Sequence, residues 1–318
     1  MKYYVGIDLG GTNIAVGVVN EDYQIVGRAK LKTNVPRPAE EVFDDMVKAT
    51  RMAVEDAGLT LEDIEWVGVD TPGTVDVETG YLIYANNLFF HNVPMGPYLS
   101  EKLGKPVYIE NDANAAAYGE ALAGGAKGKE DVIVITLGTG VGGGVIINGK
   151  IYAGFNHGGA ELGHMAIVKD GRQCTCGRKG CFETYCSATG LITTTKEYMK
   201  KYKDSVMWEL CGGNLDKVSG RTAFDAMRKG DQAGRECVDE YIAYMAYGLA
   251  SIVNIFQPEV ICIGGGISKE GETLLAPLRE LVKAEDYCRT SKKRVKIVTA
   301  TLGNDAGIIG AAFLGRLQ

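Results

Sequence analysis

The sequence predicts an α/β fold of two domains around a cleft, each built on a βββαβ unit. Three observations predict it. The chain has 318 residues, more than one compact core ordinarily organises, so two subdomains are expected. Short runs rich in valine and isoleucine alternate with stretches of helical spacing. One strand–turn–strand pattern also occurs twice: Leu9-Gly10-Gly11-Thr12 is matched by Leu137-Gly138-Thr139-Gly140, 128 residues later, which suggests an internal duplication.

Residues 3–31 read as strand, glycine turn, strand, strand, with Asn20-Glu21-Asp22 turning the chain between the second and third. A helix follows from Ala39 to Ala57, because Val42, Met46, Ala49, Ala53 and Ala57 fall near helical spacing and Gly58 ends it. Trp66–Asp70 is a short buried strand that stops at Thr71-Pro72-Gly73. Residues 108–121 pass from a strand into an alanine-rich helix. The second copy opens over 132–154 with an apolar strand, the Leu-Gly turn and another apolar strand. Residues 230–259 form a long helix that Pro258 stops, 260–268 a strand entering a glycine turn, and 304–315 a closing helix. The boundary is expected between residues 111 and 112. That gives a smaller domain over 1–111 and a larger one over 112–304 carrying the cysteine loop, with the last helix, about 305–318, packing back on the first.

Hydrophobic residues make up 46% and charged residues 23%, a globular composition. The formal net charge is −6 and no run of five basic residues occurs, so nucleic acid is not an expected partner. Asp8 follows only seven residues, leaving no room for a signal peptide, and no window approaches the run of about 18 apolar residues that spans a bilayer. A cytoplasmic protein without a membrane partner is expected. In such a reducing compartment eight cysteines are not a disulfide framework. Cys186, Cys211, Cys237, Cys262 and Cys288 are scattered and read as small buried hydrophobes.

Glycine-rich turns let the backbone approach a polyphosphate, since no β-carbon blocks it and exposed amides point at anionic oxygen. Three occur, at 10–12, 138–144 and 264–266. None is a Walker loop, and Gly6-Ile-Asp-Leu-Gly-Gly lacks the Rossmann spacing and leads into a strand. Asp8, just before the first turn, is placed either to hold a magnesium ion that bridges phosphates or to accept turn amides at a strand end. Asp8-Leu-Gly-Gly-Thr-Asn13 together with Leu137-Gly-Thr-Gly-Val-Gly-Gly-Gly144 resembles the sugar kinase branch of the actin-like ATPase superfamily. That resemblance implies the actin-like (ribonuclease H-like) fold.

Asn111 and Asp112 stand at a strand-to-helix junction. Either suits a helix N-cap. With the glycine turns in the same chain, Asp112 is also the candidate base that accepts a proton from a substrate hydroxyl attacking a γ-phosphoryl group. Cys174-x-Cys176-x4-Cys181 supplies three thiolates without a C-x-x-C redox motif, and zinc ordinarily takes four ligands. Of only three histidines, His164 lies ten residues upstream of the first, so a Cys3His structural zinc site is the reading; the alternative is a surface loop of free thiols. Arg178 and Lys179 then sit exposed and offset thiolate charge. A metal joining these segments also brings Glu161 and Glu183 together.

Glu161-Leu-Gly-His164 and Cys174-Thr-Cys-Gly-Arg-Lys-Gly-Cys-Phe-Glu183 resemble the signature of the ROK family (repressors, open reading frames, kinases), and the resemblance runs through essentially the entire chain. It implies zinc on His164, Cys174, Cys176 and Cys181, and Asp112 as base. It also implies a sugar held by Asn111, Glu161, His164 and Glu183, with Gly73 and one of Asn86 and Asn87. ATP and Mg²⁺ would be held by Asp8, Gly10, Gly11, Thr12, Asn13, Gly138, Thr139, Gly140, Gly264, Gly265 and Gly266. The expected activity is phosphorylation of glucose at its 6-hydroxyl by ATP, closure of the domains excluding water. N-acetylglucosamine, N-acetylmannosamine, mannose or fructose as acceptor, or polyphosphate as donor, are alternatives within the family. A sugar-responsive repressor is disfavoured because only seven residues precede Asp8, and an ATP-binding scaffold because it has no use for convergent Asn111, Asp112, Glu161 and Glu183. The family resemblance also implies a homodimer.

Overall fold

The computed structural model describes residues 1–317. Two compact units divide the chain: residues 1–134, 144–160 and the segment from Ala300 form the first, and residues 135–143 and 161–299 the second. The first begins with β1 (Tyr3–Leu9), β2 (Asn13–Asn20), β3 (Ile25–Lys32), α1 (Ala39–Asp56) and β4 (Ile64–Thr71). The turn after β2 forms because the Asn20 side chain accepts the amides of Asp22 and Gln24. Gly58 ends the α1 segment at φ +69°. Then come β5 (Thr74–Asp76), β6 (Tyr81–Ala85), β7 (Phe90–Val93), α2 (Met95–Leu103), β8 (Val107–Asn111) and α3 (Asp112–Ala123).

The five main strands align in the order β3-β2-β1-β4-β8, with β1, β4 and β8 parallel. Their ends therefore stand side by side: Asp8 is opposite Asp70, and Thr71 opposite Asn111. Val42, Phe43, Met46, Ala49 and Ala53 form the buried stripe of α1, and they close the core with Ile7, Leu9, Val16, Val67 and Val69. β5, β6 and β7 make a separate small antiparallel sheet. That sheet and α2 are absent from the sequence expectation, because strands of three to five residues are too short for periodicity to register.

The chain passes between units within β9 (Val132–Leu137) and β10 (Val141–Ile147). β10 is expected to run toward residue 154, but Asn148 and Gly149 both take positive φ and turn the chain into the two-residue β11 (Lys150–Ile151). The second unit continues with α4 (Glu183–Cys186), α5 (Ala188–Lys201), α6 (Met207–Leu210), α7 (Thr222–Arg228), α8 (Gln232–Phe256), β12 (Val260–Gly265), α9 (Glu272–Glu285) and β13 (Lys296–Thr299). β12 and β13 complete a sheet in the order β11-β10-β9-β12-β13. Gln257, in the left-handed conformation, and Pro258 end α8.

The closing helix α10 (Asp305–Ala312) belongs to the first unit. It lies so close to β1, β4 and α3 that β-carbons at Gly6, Gly68 and Gly119 would overlap the carbonyl oxygens of Ile308, Ala311 and Ala306. Gly310 likewise lies against the Ala115 carbonyl. This packing carries the first unit past the expected 111/112 boundary and through α3. Four scattered cysteines, Cys186, Cys211, Cys237 and Cys262, are buried as small apolar side chains, while Cys288 is only half-buried. Among the described residues no helix is long and apolar enough to cross a membrane.

Candidate active site

In the first unit the strand ends gather carboxylates. Asp8 ends its strand beside Asp70 of β4, which is 1% exposed. Burial pushes both carboxyls above their ordinary range, Asp70 further, with the charges of Asp8 and Asp112 adding to its shift. Among the described residues Oδ2 of Asp70 has no hydrogen-bond partner. Asp8, the turn residues Gly10, Gly11, Thr12 and Asn13, and Arg28, Lys30, Asn304 and Asp305 line a cavity of about 740 Å³. The cavity is nucleotide-sized, and a hard oxygen donor such as the Asp8 carboxylate at its wall fits magnesium. Arg28 is committed to Asp305 through two hydrogen bonds of 2.8 and 2.7 Å.

At the β8–α3 junction hydrogen-bond partners identify the cap. Asn111 is the N-cap: its Oδ1 accepts the amides of Ala113 and Asn114 at 2.9 and 3.3 Å. Its Nδ2 donates to the Gly73 carbonyl at 3.1 Å, joining two of the expected sugar contacts. Gly73 has φ +100°, and a β-carbon there would overlap the Tyr84 carbonyl, so only glycine fits. Asp112, the first helical residue, is exposed, and its Oδ1 accepts the Ala113 amide at 2.8 Å. Behind it, buried Glu110 accepts the Asn111 amide and the Asn114 side chain at 2.8 and 3.1 Å, which fixes the junction. Asn86 and Asn87 lie on the exposed turn Asn86–Leu88, Asn86 accepting from the Tyr84 hydroxyl and Asn87 against Gly11.

The second unit holds the remaining residues. Glu161 precedes the turn Leu162–His164, whose ring meets the cysteine loop. His164 Nδ1 is 3.7 Å from Cys174 Sγ, Cys176 Sγ is 3.7 Å from Cys181 Sγ, and all four ligand atoms lie within 4.8 Å of one another. A zinc–sulfur bond of about 2.3 Å sets tetrahedral edges near 3.8 Å, so the donor set and spacing both fit zinc. The backbone N–H of Arg178 holds the Cys176 thiol pKa down, and burial pushes that of Cys181 up. Arg178 is exposed, yet its guanidinium also donates to the His164 carbonyl at 3.3 Å, so it ties the loop together as well as carrying charge. Glu183, two residues past the cluster's last cysteine by way of fully buried Phe182, accepts the Val141 amide at 2.9 Å through Oε2. Gly138, Thr139 and Gly140 form the turn before β10, and Gly264–Gly266 close β12 beside it: Gly265, at φ +85°, lies against the Leu137 backbone.

Asp70 and Glu110 are the residues that sequence reasoning missed. Asp70 reads only as the end of a short apolar strand, and its place opposite Asp8 depends on a pairing between strands far apart in the chain. Glu110 precedes Asn111 in a strand, and alternation alone says nothing about which amides it will meet.

Paired parallel strand ends, duplicated glycine hairpins and a carboxylate at a helix start define the actin-like sugar kinase fold. The match to solved structures is close. A ROK-family glucokinase from Streptomyces griseus, solved with glucose and AMPPNP, is 36% identical with a TM-score of 0.77, covering 99% of this chain and 100% of that one. A ROK hexokinase from Thermus thermophilus is 31% identical with a TM-score of 0.81 over 98% and 96%. The glucokinase of Thermotoga maritima is 39% identical over 97% of this chain and 95% of its own. The ROK family model matches residues 4–317, and the chain belongs to the ROK family.

Proposed function

We propose that this protein transfers the γ-phosphoryl group of ATP to the 6-hydroxyl of glucose. The observation that carries this reading is the β8–α3 junction: Asn111 takes the cap and is tied to Gly73, so the exposed Asp112 carboxylate stands at the helix start next to the Asn111 side-chain amide and the Gly73 carbonyl, polar groups suited to an uncharged sugar. Full-length similarity to glucokinases supports the acceptor.

In this reading Asp112 accepts the 6-hydroxyl proton as the oxygen attacks. The transition state is loose, so orienting that hydroxyl matters more than a strong base. Asn111, Gly73, one of Asn86 and Asn87, Glu161, His164 and Glu183 bind the sugar hydroxyls, which both donate and accept. Gly10–Asn13, Gly138–Gly140 and Gly264–Gly266 offer backbone amides to the phosphates, and Asp8 would hold the magnesium. When bound, magnesium would supply neutralisation of phosphate charge. His164, Cys174, Cys176 and Cys181 would hold a structural zinc, which fixes the His164 ring and the path into Glu183. A homodimer and a cytoplasmic setting, implied by the family, belong to the same reading.

The test is ADP release with Mg²⁺ and ATP or polyphosphate against glucose, mannose, fructose, N-acetylglucosamine and N-acetylmannosamine. ATP with glucose should exceed the other combinations by at least about tenfold in kcat/KM. An N-acetyl sugar in first place would move the substrate, and turnover independent of any sugar would remove the kinase reading.

A further inference from the structure

Val141 begins β10 directly after the glycine turn, and its peptide group is held from two sides by segments distant in sequence. Glu183 Oε2 accepts its N–H at 2.9 Å. Gly163, in the Leu162–His164 turn, lies so close to the Val141 carbonyl that a β-carbon would overlap it. Gly140 completes the seat. It is not among the residues with positive φ, so the backbone does not demand glycine there, yet a β-carbon would occupy the place of Glu183 Oε2. At Gly138, two residues earlier, an added β-carbon would meet no atom of the described residues within 4 Å. Two glycines of one turn thus have different causes. The Glu183 backbone is fixed at its other side, because Phe182 is fully buried with its ring against Gly248 of α8.

We infer that Glu183 is a joint between sugar recognition and the glycine turn. Oε2 fixes the Val141 amide and hence the path of the turn, Oε1, which Cys174 Sγ approaches only at a long 3.9 Å, accepts a sugar hydroxyl, and residue 140 is glycine to seat that carboxylate. A carboxylate can accept at both oxygens at once, so the two duties are compatible. The sugar half rests on the glucokinase reading; the joint to Val141 does not. By linkage, whatever orders Glu183 from the sugar side also orders the turn, and the reverse.

The experiment uses the full chain with zinc bound, carrying Gly140→Ala, Glu183→Asp and both together. Calorimetry measures glucose affinity without nucleotide, and hydrogen exchange follows the Val141 amide. The overlapping atom in Gly140→Ala is the tip of a flexible side chain, so the variant should fold with its zinc content unchanged. Glucose affinity is expected to fall at least tenfold in each single variant, and the Val141 amide to exchange at least tenfold faster. The double variant should lose no more than the poorer single one, since both act on one contact. Wild-type glucose affinity in Gly140→Ala with only nucleotide binding weakened would overturn the inference, as would losses that multiply. If wild type binds no glucose, the glucokinase reading fails by itself, and the joint then stands or falls on Val141 exchange. Should Gly140→Ala not fold, Glu183→Asp alone decides by the same exchange measurement.

Discussion

The turns after β1 and β9 are copies of one device that have acquired different surroundings. Each closes with a short backbone hydrogen bond, Gly10 N–H to the Asn13 carbonyl at 2.9 Å and Gly138 N–H to the Gly140 carbonyl at 3.0 Å. Each also has a carbonyl tied by a threonine hydroxyl, Thr33 to Gly10 at 2.6 Å and Thr189 to Thr139 at 2.8 Å. They differ in what stands behind them. The first turn is preceded by Asp8, next to buried Asp70, whereas the residue 128 places after Asp8 is Thr136. β-Carbons at Gly10 and Gly11 would make only ordinary or slightly tight contacts, at 3.5 and 3.4 Å, while Gly140 is pressed by Glu183. A duplicated backbone therefore supplies amides twice, and in the proposed reading the flanking side chains assign one copy to cation chemistry and the other to sugar-side support.

The comparison breaks most decisively at the cysteine cluster, which supports only the second copy. Cys176→Ser or chelation should lower glucose affinity by at least about 100-fold and reduce thermal stability. Metal-free protein that still binds glucose normally in calorimetry would detach the second turn from the cluster. Asp8→Asn probes the first copy: kcat should fall by about 10–100-fold at fixed Mg²⁺ and recover partly at higher Mg²⁺, with glucose affinity unchanged. Equal loss of glucose binding in a titration would show that the two turns do not divide the work.

Packing sharpens the contrast at a smaller scale. Gly68→Ala places a β-carbon on the Ala311 carbonyl of α10 and should destabilise the first unit by about 3 kcal/mol, read as a lowered melting temperature, whereas Gly138→Ala should leave melting unchanged. The smallest effect concerns Glu110, whose carboxyl burial holds above its ordinary range against the opposing pull of the Asn111 amide and Asn114. An acid with a raised native pKa binds its proton more tightly in the folded state, so it favours folding most at low pH. That contribution is lost as pH rises through the native value. Glu110→Gln should flatten the pH dependence of melting over that window, and an unchanged slope would remove Glu110 as its source.

Much of this was legible in residues 8–13, 137–144 and 174–183, because local chemistry repeats there at short spacing. The α1 stripe and the Gly58 stop were legible for the same reason. Asp70 was not, since its meaning arises only when β4 lies parallel to β1. Nor was the true cap at residue 111: both neighbours suit a cap, and hydrogen-bond partners alone distinguish them. The grip on Val141 joins residues 42 positions apart, beyond the reach of any local pattern.

The most direct test of the account is single-turnover phosphoryl transfer by Asp112→Asn, with glucose affinity measured on the same preparation. The account predicts glucose binding within about threefold of wild type and transfer slowed by 10²–10⁴-fold, the range that a positioned base contributes. Transfer at the wild-type rate would mean that Asp112 is not the base and that the β8–α3 junction does not carry the chemistry.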